Sequence, residues 1–254
     1  MTAVNGILEI GERNIWMFFL TLLRVGPLIF LLPVLGETVT PTRFRLIICI
    51  VVSVFLSLLI QIDPREHGLN HIIVSSLCEI LIGLMLGFVI RSMFLALQIA
   101  GVIASQFLSL SQMLGASQAD DSFLVLGRLY NWIGIGYVCV IGLPLECIMF
   151  IAKSYVYFPF GVLAAGFNPA EFVLSYFALA FQSSFEFSGA IFVAAVLYNI
   201  TTGYVGRAMP QLMISIVSVP AIVLAGLFVT GVTIFPVTQI FGKNLMMFLI
   251  WSLN

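Results

Sequence analysis

The fold is decided by residues 72–90, which read IIVSSLCEILIGLMLGFVI and carry one charge, Glu79. A run of about 20 mostly apolar residues is long enough to cross the hydrocarbon core of a bilayer as a single helix. This stretch therefore predicts a membrane-spanning helix, and most of the remaining chain repeats its character.

Composition extends this prediction to the whole chain. The sequence has 254 residues, of which 61% are hydrophobic and 8% are charged, whereas about 25% are charged in an ordinary soluble domain. Too few polar groups are present to cover a soluble surface, so lipid or apolar partner surfaces must cover it. The net charge of −1 and the lack of a basic tract give no footprint for nucleic-acid binding. We expect an all-α, polytopic membrane protein.

Not every apolar run is a simple membrane-spanning helix, and the last run is too long for one crossing. A helix over 208–242 would measure about 52 Å, against a hydrocarbon core of about 30 Å. Pro220 lies inside it, and proline removes a backbone donor and clashes with the preceding turn, so we expect a bend, a break or a hairpin there. The fold class expected is a set of kinked helical hairpins. The apolar runs are 14–36, 46–62, 72–90, 92–119, 122–145, 147–167, 172–206 and 208–242.

Few charges are available to orient the chain in the membrane. The loop 37–45 holds Arg43 and Arg45 against Glu37. Lysine and arginine are enriched in short cytoplasmic loops, which favours a cytoplasmic loop here and a periplasmic N-terminus.

A polar but uncharged stripe distinguishes the run 92–119. Gln98, Ser105, Ser109 and Gln112 recur at spacings that place them on one helix face. Such a face can line a passage, or it can hydrogen-bond to neighbouring helices, and the stripe alone favours neither. The following polar loop with its methionine and leucine is a poor packing element, which favours a segment that blocks a passage.

Charges inside the apolar runs need partners, because ionisable groups in membrane helices usually face the protein interior. Structural ion pairs or contacts to a partner chain are favoured over a proton relay, since no two carboxylates lie four residues apart within these runs. The residues concerned are Arg24, Glu79, Glu146, Lys153 and Glu186.

No catalytic, cofactor-binding or metal-binding residue is predicted. The chain contains no G-x-S-x-G, H-E-x-x-H or phosphate-binding G-x-x-x-x-G-K-[ST] motif. His67 and His71 have a spacing that can hold a metal, but they lie in a short polar loop where solvated residues are ordinary. Gly83 and Gly87 form a G-x-x-x-G motif that permits close helix approach.

An ordered set of short motifs resembles the FliR family of flagellar export-gate membrane proteins and, more distantly, their injectisome type III counterparts. The resemblance covers roughly 14–242. Two positions depart from the family pattern, Leu108 and Gly206. The motifs are Leu23-Arg24, Pro33, Gly36-Glu37, Pro41, Arg43, Glu79 to Phe88, Ala100-Gly101 to Gln106, Gly127-Arg128 and Gly206 to Leu212.

The resemblance implies a non-enzymatic subunit of a helical hetero-oligomeric gate in the bacterial inner membrane, at the flagellar basal body. Its expected partners are FliP-like, FliQ-like and FlhB-like membrane proteins, unfolded export substrates in transit, and rod proteins at the outer end. It implies a single membrane domain, with a FliP-like region over residues 1–165 and a FliQ-like region over residues 166–254. An injectisome gate subunit is the alternative. A small-solute transporter is disfavoured because the two halves do not repeat each other.

By the same resemblance, the segment from Gln106 to Ser122 plugs the closed pore. The pore and plug residues expected are Gln106, Ser109, Ser111, Gln112, Met113, Leu114, Gly115 and Ser117. The residues expected to serve folding or assembly are Arg24, Pro33, Glu79, Gly83, Gly87, Arg207, Pro210 and Gln211.

Overall fold

The computed structural model describes residues 2–33, 40–59, 69–107, 119–160, 167–208 and 214–251. These residues are helical almost throughout and contain no strand, which confirms the all-α prediction. The helices are α1 (Thr2–Leu31), α2 (Thr42–Leu59), α3 (Leu69–Phe107), α4 (Ala119–Ile141), α5 (Leu143–Tyr157), α6 (Pro169–Ala208) and α7 (Ile214–Trp251).

The helices have the length and hydropathy of membrane spans. Within the described residues, 5 helices can cross a membrane, or up to 6 if the interrupted pair α4 and α5 counts as one span. The prediction of a polytopic membrane protein is confirmed. The 5 windows are Asn14–Leu31, Thr42–Leu59, Ile72–Gln106, Pro169–Ala208 and Pro220–Met247.

Helix α3 joins two runs that the sequence pattern separates. It continues through Arg91 and has 39 residues, so it measures about 58 Å. No proline or turn sequence interrupts it, and a single half-buried arginine does not end a helix. Its length is thus about twice the thickness of a hydrocarbon core of about 30 Å.

The hairpin or break expected near Pro220 is wrong. Helix α7 runs unbroken from Ile214 to Trp251 with Pro220 and Pro236 inside it. A proline removes one intrahelical hydrogen bond, whereas a break leaves about four donors and four acceptors unsatisfied at the two new ends. In an apolar sequence without polar turn residues, the lost hydrogen bond is the smaller cost.

An interruption does occur at Gly142, between α4 and α5, close to the boundary between the apolar runs 122–145 and 147–167. Gly142 has φ 85° and ψ 21°, a left-handed conformation that a residue with a Cβ adopts at a cost. Its carbonyl accepts a hydrogen bond from the Leu145 amide at 3.0 Å, and Pro144 sits in the first turn of α5, where no amide donor is needed.

The chain forms two compact units, and each is discontinuous in sequence. One unit comprises Met1–Arg91, Gly142–Tyr176 and Met247–Asn254, and the other comprises Ser92–Ile141 and Phe177–Met246. The division into a FliP-like region over residues 1–165 and a FliQ-like region over residues 166–254 stays a prediction. Buried side chains of the first unit are Leu20, Leu28, Leu56, Ile82 and Phe150, and those of the second are Leu97, Tyr130, Val138 and Phe241.

Candidate functional site

The first unit is built around a buried ion pair between α1 and α3. The side chains of Arg24 and Glu79 are both 0% exposed. Arg24 Nε lies 2.6 Å from Glu79 Oε2, and Arg24 Nη2 lies 2.9 Å from Glu79 Oε1. Two parallel N–H···O bonds of this kind are the strongest way to pair an arginine with a carboxylate.

The same guanidinium also holds the end of α5. Arg24 Nη2 donates to the Phe158 carbonyl at 2.8 Å, and Nη1 donates to Ser154 Oγ at 3.3 Å. Phe158 is the C-cap residue of α5, so its carbonyl lacks an intrahelical donor. A cation is favourable there, because the helix dipole places partial negative charge at this end.

Aromatic rings complete the surroundings of Arg24. Its guanidinium carbon lies 3.9 Å from the ring centroid of Tyr155 and 5.9 Å from that of Phe160. A cation over an aromatic face is attracted by the ring quadrupole, more strongly when water is excluded. Arg24, Glu79 and the α5 segment Ser154–Phe160 are called the arginine cluster below.

Glycines on α3 allow α1 to approach closely enough for this cluster to form. A Cβ built on Gly83 would collide with the backbone carbonyl oxygen of Arg24. A Cβ on Gly87 would lie 3.1 Å from the Cα of Leu28 and 2.9 Å from the Cβ of Leu31. Gly83 lies one turn beyond Glu79, so the contact that needs glycine is next to the ion pair.

A second glycine contact joins α3 to α4 in the other unit. A Cβ on Gly101 would lie 2.6 Å from the Leu126 carbonyl oxygen and 2.7 Å from the Gly127 Cα. A Cβ on Gly127 would lie 3.0 Å from the Gln98 carbonyl oxygen. Helices that approach this closely require small residues at the crossing.

A family model described as bacterial export proteins, family 1, matches residues 15–247 of this chain. The chain belongs to this family. It is 30% identical over 223 residues to the flagellar biosynthetic protein FliR of Caulobacter vibrioides, covering 84% of this chain and 86% of that protein. It is 26% identical over 224 residues to the flagellar biosynthetic protein FliR of Aquifex aeolicus, covering 86% and 85%. The resemblance to the FliR family is confirmed.

Only the two ends of the plug segment predicted for this FliR-family chain lie within the described residues, at the end of α3 and in the first turn of α4. Ser105 is buried and donates to the Val102 carbonyl at 2.7 Å, while Gln106 is exposed at the end of α3. The predicted plug residues that fall outside the described residues are Ser109, Ser111, Gln112, Met113, Leu114, Gly115 and Ser117.

The remaining predicted residues of this FliR-family chain do not join the arginine cluster. Pro33 is buried just after α1, and Arg207 is exposed in the last turn of α6. Lys153 and Glu186 are exposed, and Glu146 is half-buried. Pro210 and Gln211 lie outside the described residues.

Sequence reasoning missed the α5 half of the arginine cluster. Ser154 and Tyr155 are polar side chains in an apolar helix, beside the more conspicuous charge of Lys153. Their polarity within an apolar helix was the available signal. Ser154 and Tyr155 are buried and contact Arg24, whereas Lys153 is exposed. The close contact between Gly101 of α3 and Gly127 of α4 was also not predicted, although both glycines belong to motifs that carry the family resemblance.

Among the residues that the structure describes, no group of three or more His, Cys, Asp and Glu side chains could hold a metal ion. The charges of the arginine cluster satisfy each other, and the guanidinium donates two further hydrogen bonds to α5. What the cluster can do chemically is fix three helices to one another.

Proposed function

We propose that this chain is a subunit of the flagellar type III protein export gate in the bacterial inner membrane. The observation that carries the proposal is the family match over residues 15–247. The two relatives, each covered over more than four fifths of its length, are named flagellar biosynthetic proteins. Their names favour a flagellar gate over an injectisome gate.

Apolar surface left uncovered by the chain itself supports a role inside an assembly. On α2, Phe44 is 62% exposed, Val51 is 61% exposed and Leu58 is 73% exposed. These three side chains recur every seven residues along one helix face, and such an exposed apolar face belongs against lipid or partner subunits. In the proposed gate, FliP-like, FliQ-like and FlhB-like proteins cover much of this surface, and rod proteins meet the outer end.

In this proposal the segment from Gln106 to Ser122 plugs the closed channel. Its support is the uncharged stripe that leads into it, of which Gln98 is half-buried and Ser105 is buried, together with Gln106, which is exposed at the end of α3. Amides and hydroxyls tolerate water without binding an ion or an unfolded chain tightly. The subunit acts as a passage and performs no chemistry on the chains that pass.

Deleting the gene and restoring it on a plasmid tests the export function. We expect the deletion strain to lose secreted flagellin and swimming, and the plasmid to restore both. The control is a soluble cytoplasmic marker protein, which must stay inside the cells in every strain. Normal flagellin secretion in the deletion strain would refute the proposal, and a selective loss of solute uptake would favour the transporter.

Removing residues 109–117 tests the plug. We expect the assembled gate with this deletion to leak small solutes, because the closed state has lost its obstruction. Leakage is measured as dye entry into intact cells, at matched amounts of the chain in the membrane. The matched control carries Asp120→Asn, which keeps the segment length, and it should leave the membrane tight. Equal dye entry in the deletion strain and the parent would contradict the plug.

A further inference from the structure

Glu186 lies deep inside a membrane-spanning helix. The charges of α6 are Glu171, Glu186 and Arg207, and the first and last of these lie in the end turns. Glu186 is about 25 Å along the axis from Pro169 and about 33 Å from Ala208. A hydrocarbon core of about 30 Å placed almost anywhere along this helix includes Glu186.

The carboxylate is nevertheless on the surface of the chain. Glu186 is exposed, and its neighbours Phe181 and Phe185 are 50% and 54% exposed. Gln182 Nε2 donates to Glu186 Oε1 at 3.1 Å, which leaves Oε2 available. Among the described residues, no lysine or arginine forms an ion pair with Glu186. Lipid is an unfavourable neighbour for such a group, since ionisable residues at this depth face protein or water.

Small side chains flank the two polar ones along the same face. Ala178, Gln182, Glu186 and Ala190 recur every four residues, and all four are exposed. A Cβ added at the adjacent Gly189 would meet nothing within 4 Å. This face therefore has room for a second helix to approach closely, with hydrogen-bonding groups at its centre.

We infer that the stripe Ala178–Gln182–Glu186–Ala190 docks a membrane helix of a partner subunit, which places a lysine or arginine against Glu186. Charge complementarity selects this occupant, because Oε2 accepts no hydrogen bond within the described residues and a cation offsets the cost of covering the carboxylate with a second helix. A second copy docked symmetrically through this face would oppose Glu186 to Glu186, which is repulsive. The inference depends on helix depth and charge, and it holds for any membrane assembly that contains this chain.

A photo-crosslinking amino acid at Ala190 identifies the occupant in native membranes containing the full chain. We expect the crosslinked peptide to come from an apolar helix of a different subunit that carries lysine or arginine. Glu186→Lys should lower the assembled complex on a native gel by roughly tenfold or more. Glu171→Lys, at the end of the same helix, is the matched control and should leave the complex intact. Changing the partner's cation to glutamate should restore assembly with Glu186→Lys.

Several results would overturn the inference. Crosslinks to lipid alone would place the stripe against the bilayer, and crosslinks to a second copy would make it a self-contact. Labelling of Glu186→Cys by a membrane-impermeant thiol reagent in the assembled complex would place it in a water-filled passage. If exchanging the two charges between Glu186 and the partner did not restore assembly, the proposed ion pair would be refuted. None of these readouts needs flagellar export, so they are independent of the test of the proposed function.

Discussion

Arg24 is stable in an apolar interior because its neighbours satisfy it in several directions at once. The carboxylate of Glu79 neutralises it, the Phe158 carbonyl and Ser154 hydroxyl accept from it, and Tyr155 lies under its face. Sequence reasoning could predict that Arg24 and Glu79 each need a partner. It could not pair them, because they are 55 residues apart in the chain and several other charges were equally available.

Breaking this ion pair from either side should destabilise the protein strongly. We expect Arg24→Ala and Glu79→Ala each to lower the free energy of unfolding by about 3–5 kcal/mol, because each leaves an unpaired buried charge. The double substitution should cost less than the sum of the two. Unfolding of the purified complex in mixed detergent micelles measures this, with Lys243→Ala, at an exposed position, as the control. Additive single effects would contradict a coupled pair.

The contact between Gly83 and the Arg24 carbonyl predicts a steric requirement at a single residue. Gly83→Ala should push α1 away from α3 and destabilise the first unit, although alanine is the better helix former. Gly26→Ala is the matched control, because a Cβ there meets nothing within 4 Å. It should be neutral or stabilising by up to about 1 kcal/mol. Thermal unfolding of both variants in detergent measures the difference, and equal midpoints would show that the helices are not in close contact.

At the scale of the elements, apolar runs were predictable and their connections were not. Periodicity and length place a helix in residues 72–90, but they do not say that α3 continues to Phe107. The break predicted near Pro220 does not occur in α7, because the proline costs one hydrogen bond and the helix continues through it. The boundary between the runs 122–145 and 147–167 falls near the break between α4 and α5, but the break depends on Gly142, whose positive φ cannot be read from a sequence that contains 21 glycines.

The junction between α4 and α5 should therefore depend on the conformation of Gly142. Gly142→Ala places a Cβ in the left-handed region and should destabilise the protein by about 1–2 kcal/mol. A Cβ there meets nothing within 4 Å, so strain and not collision is the cause. Gly136→Ala in α4 is also free of contacts and should be neutral or stabilising. Asparagine, which tolerates this region better, should rescue part of the loss at position 142; an equal loss for alanine and asparagine would contradict the explanation.

At the scale of the whole molecule, the described helices bury some charges inside the chain and leave others for the assembly. Arg24 and Glu79 are buried against each other, whereas Glu186 and Lys153 are exposed within apolar helices. Hydropathy cannot separate these cases, because the surrounding residues are equally apolar. Much of the hydrophobicity thus reports surface that the chain offers to its surroundings.

The predicted orientation of the whole chain in the membrane rests on two charges at the start of α2. Arg43 and Arg45 lie in its first turn, and Arg45 Nε donates to Thr40 Oγ1 at 3.0 Å. The positive-inside rule then predicts a cytoplasmic α1–α2 connection and a periplasmic N-terminus. Alkaline phosphatase fused before Thr2 should be active, since it folds only outside the cytoplasm, and a fluorescent protein inserted after Gly36 should fold and fluoresce.

Reversing the charges of Arg43 and Arg45 tests whether these two residues determine the orientation. Arg43→Glu with Arg45→Glu should reduce the active fraction of the N-terminal phosphatase fusion, because the connection has lost the charge that retains it in the cytoplasm. Arg207→Glu, at the exposed end of α6, is the control and should leave the N-terminal reporter unchanged. An inactive N-terminal phosphatase in the parent chain would show that the N-terminus is cytoplasmic. Every helix end would then face the side of the membrane opposite to the one predicted.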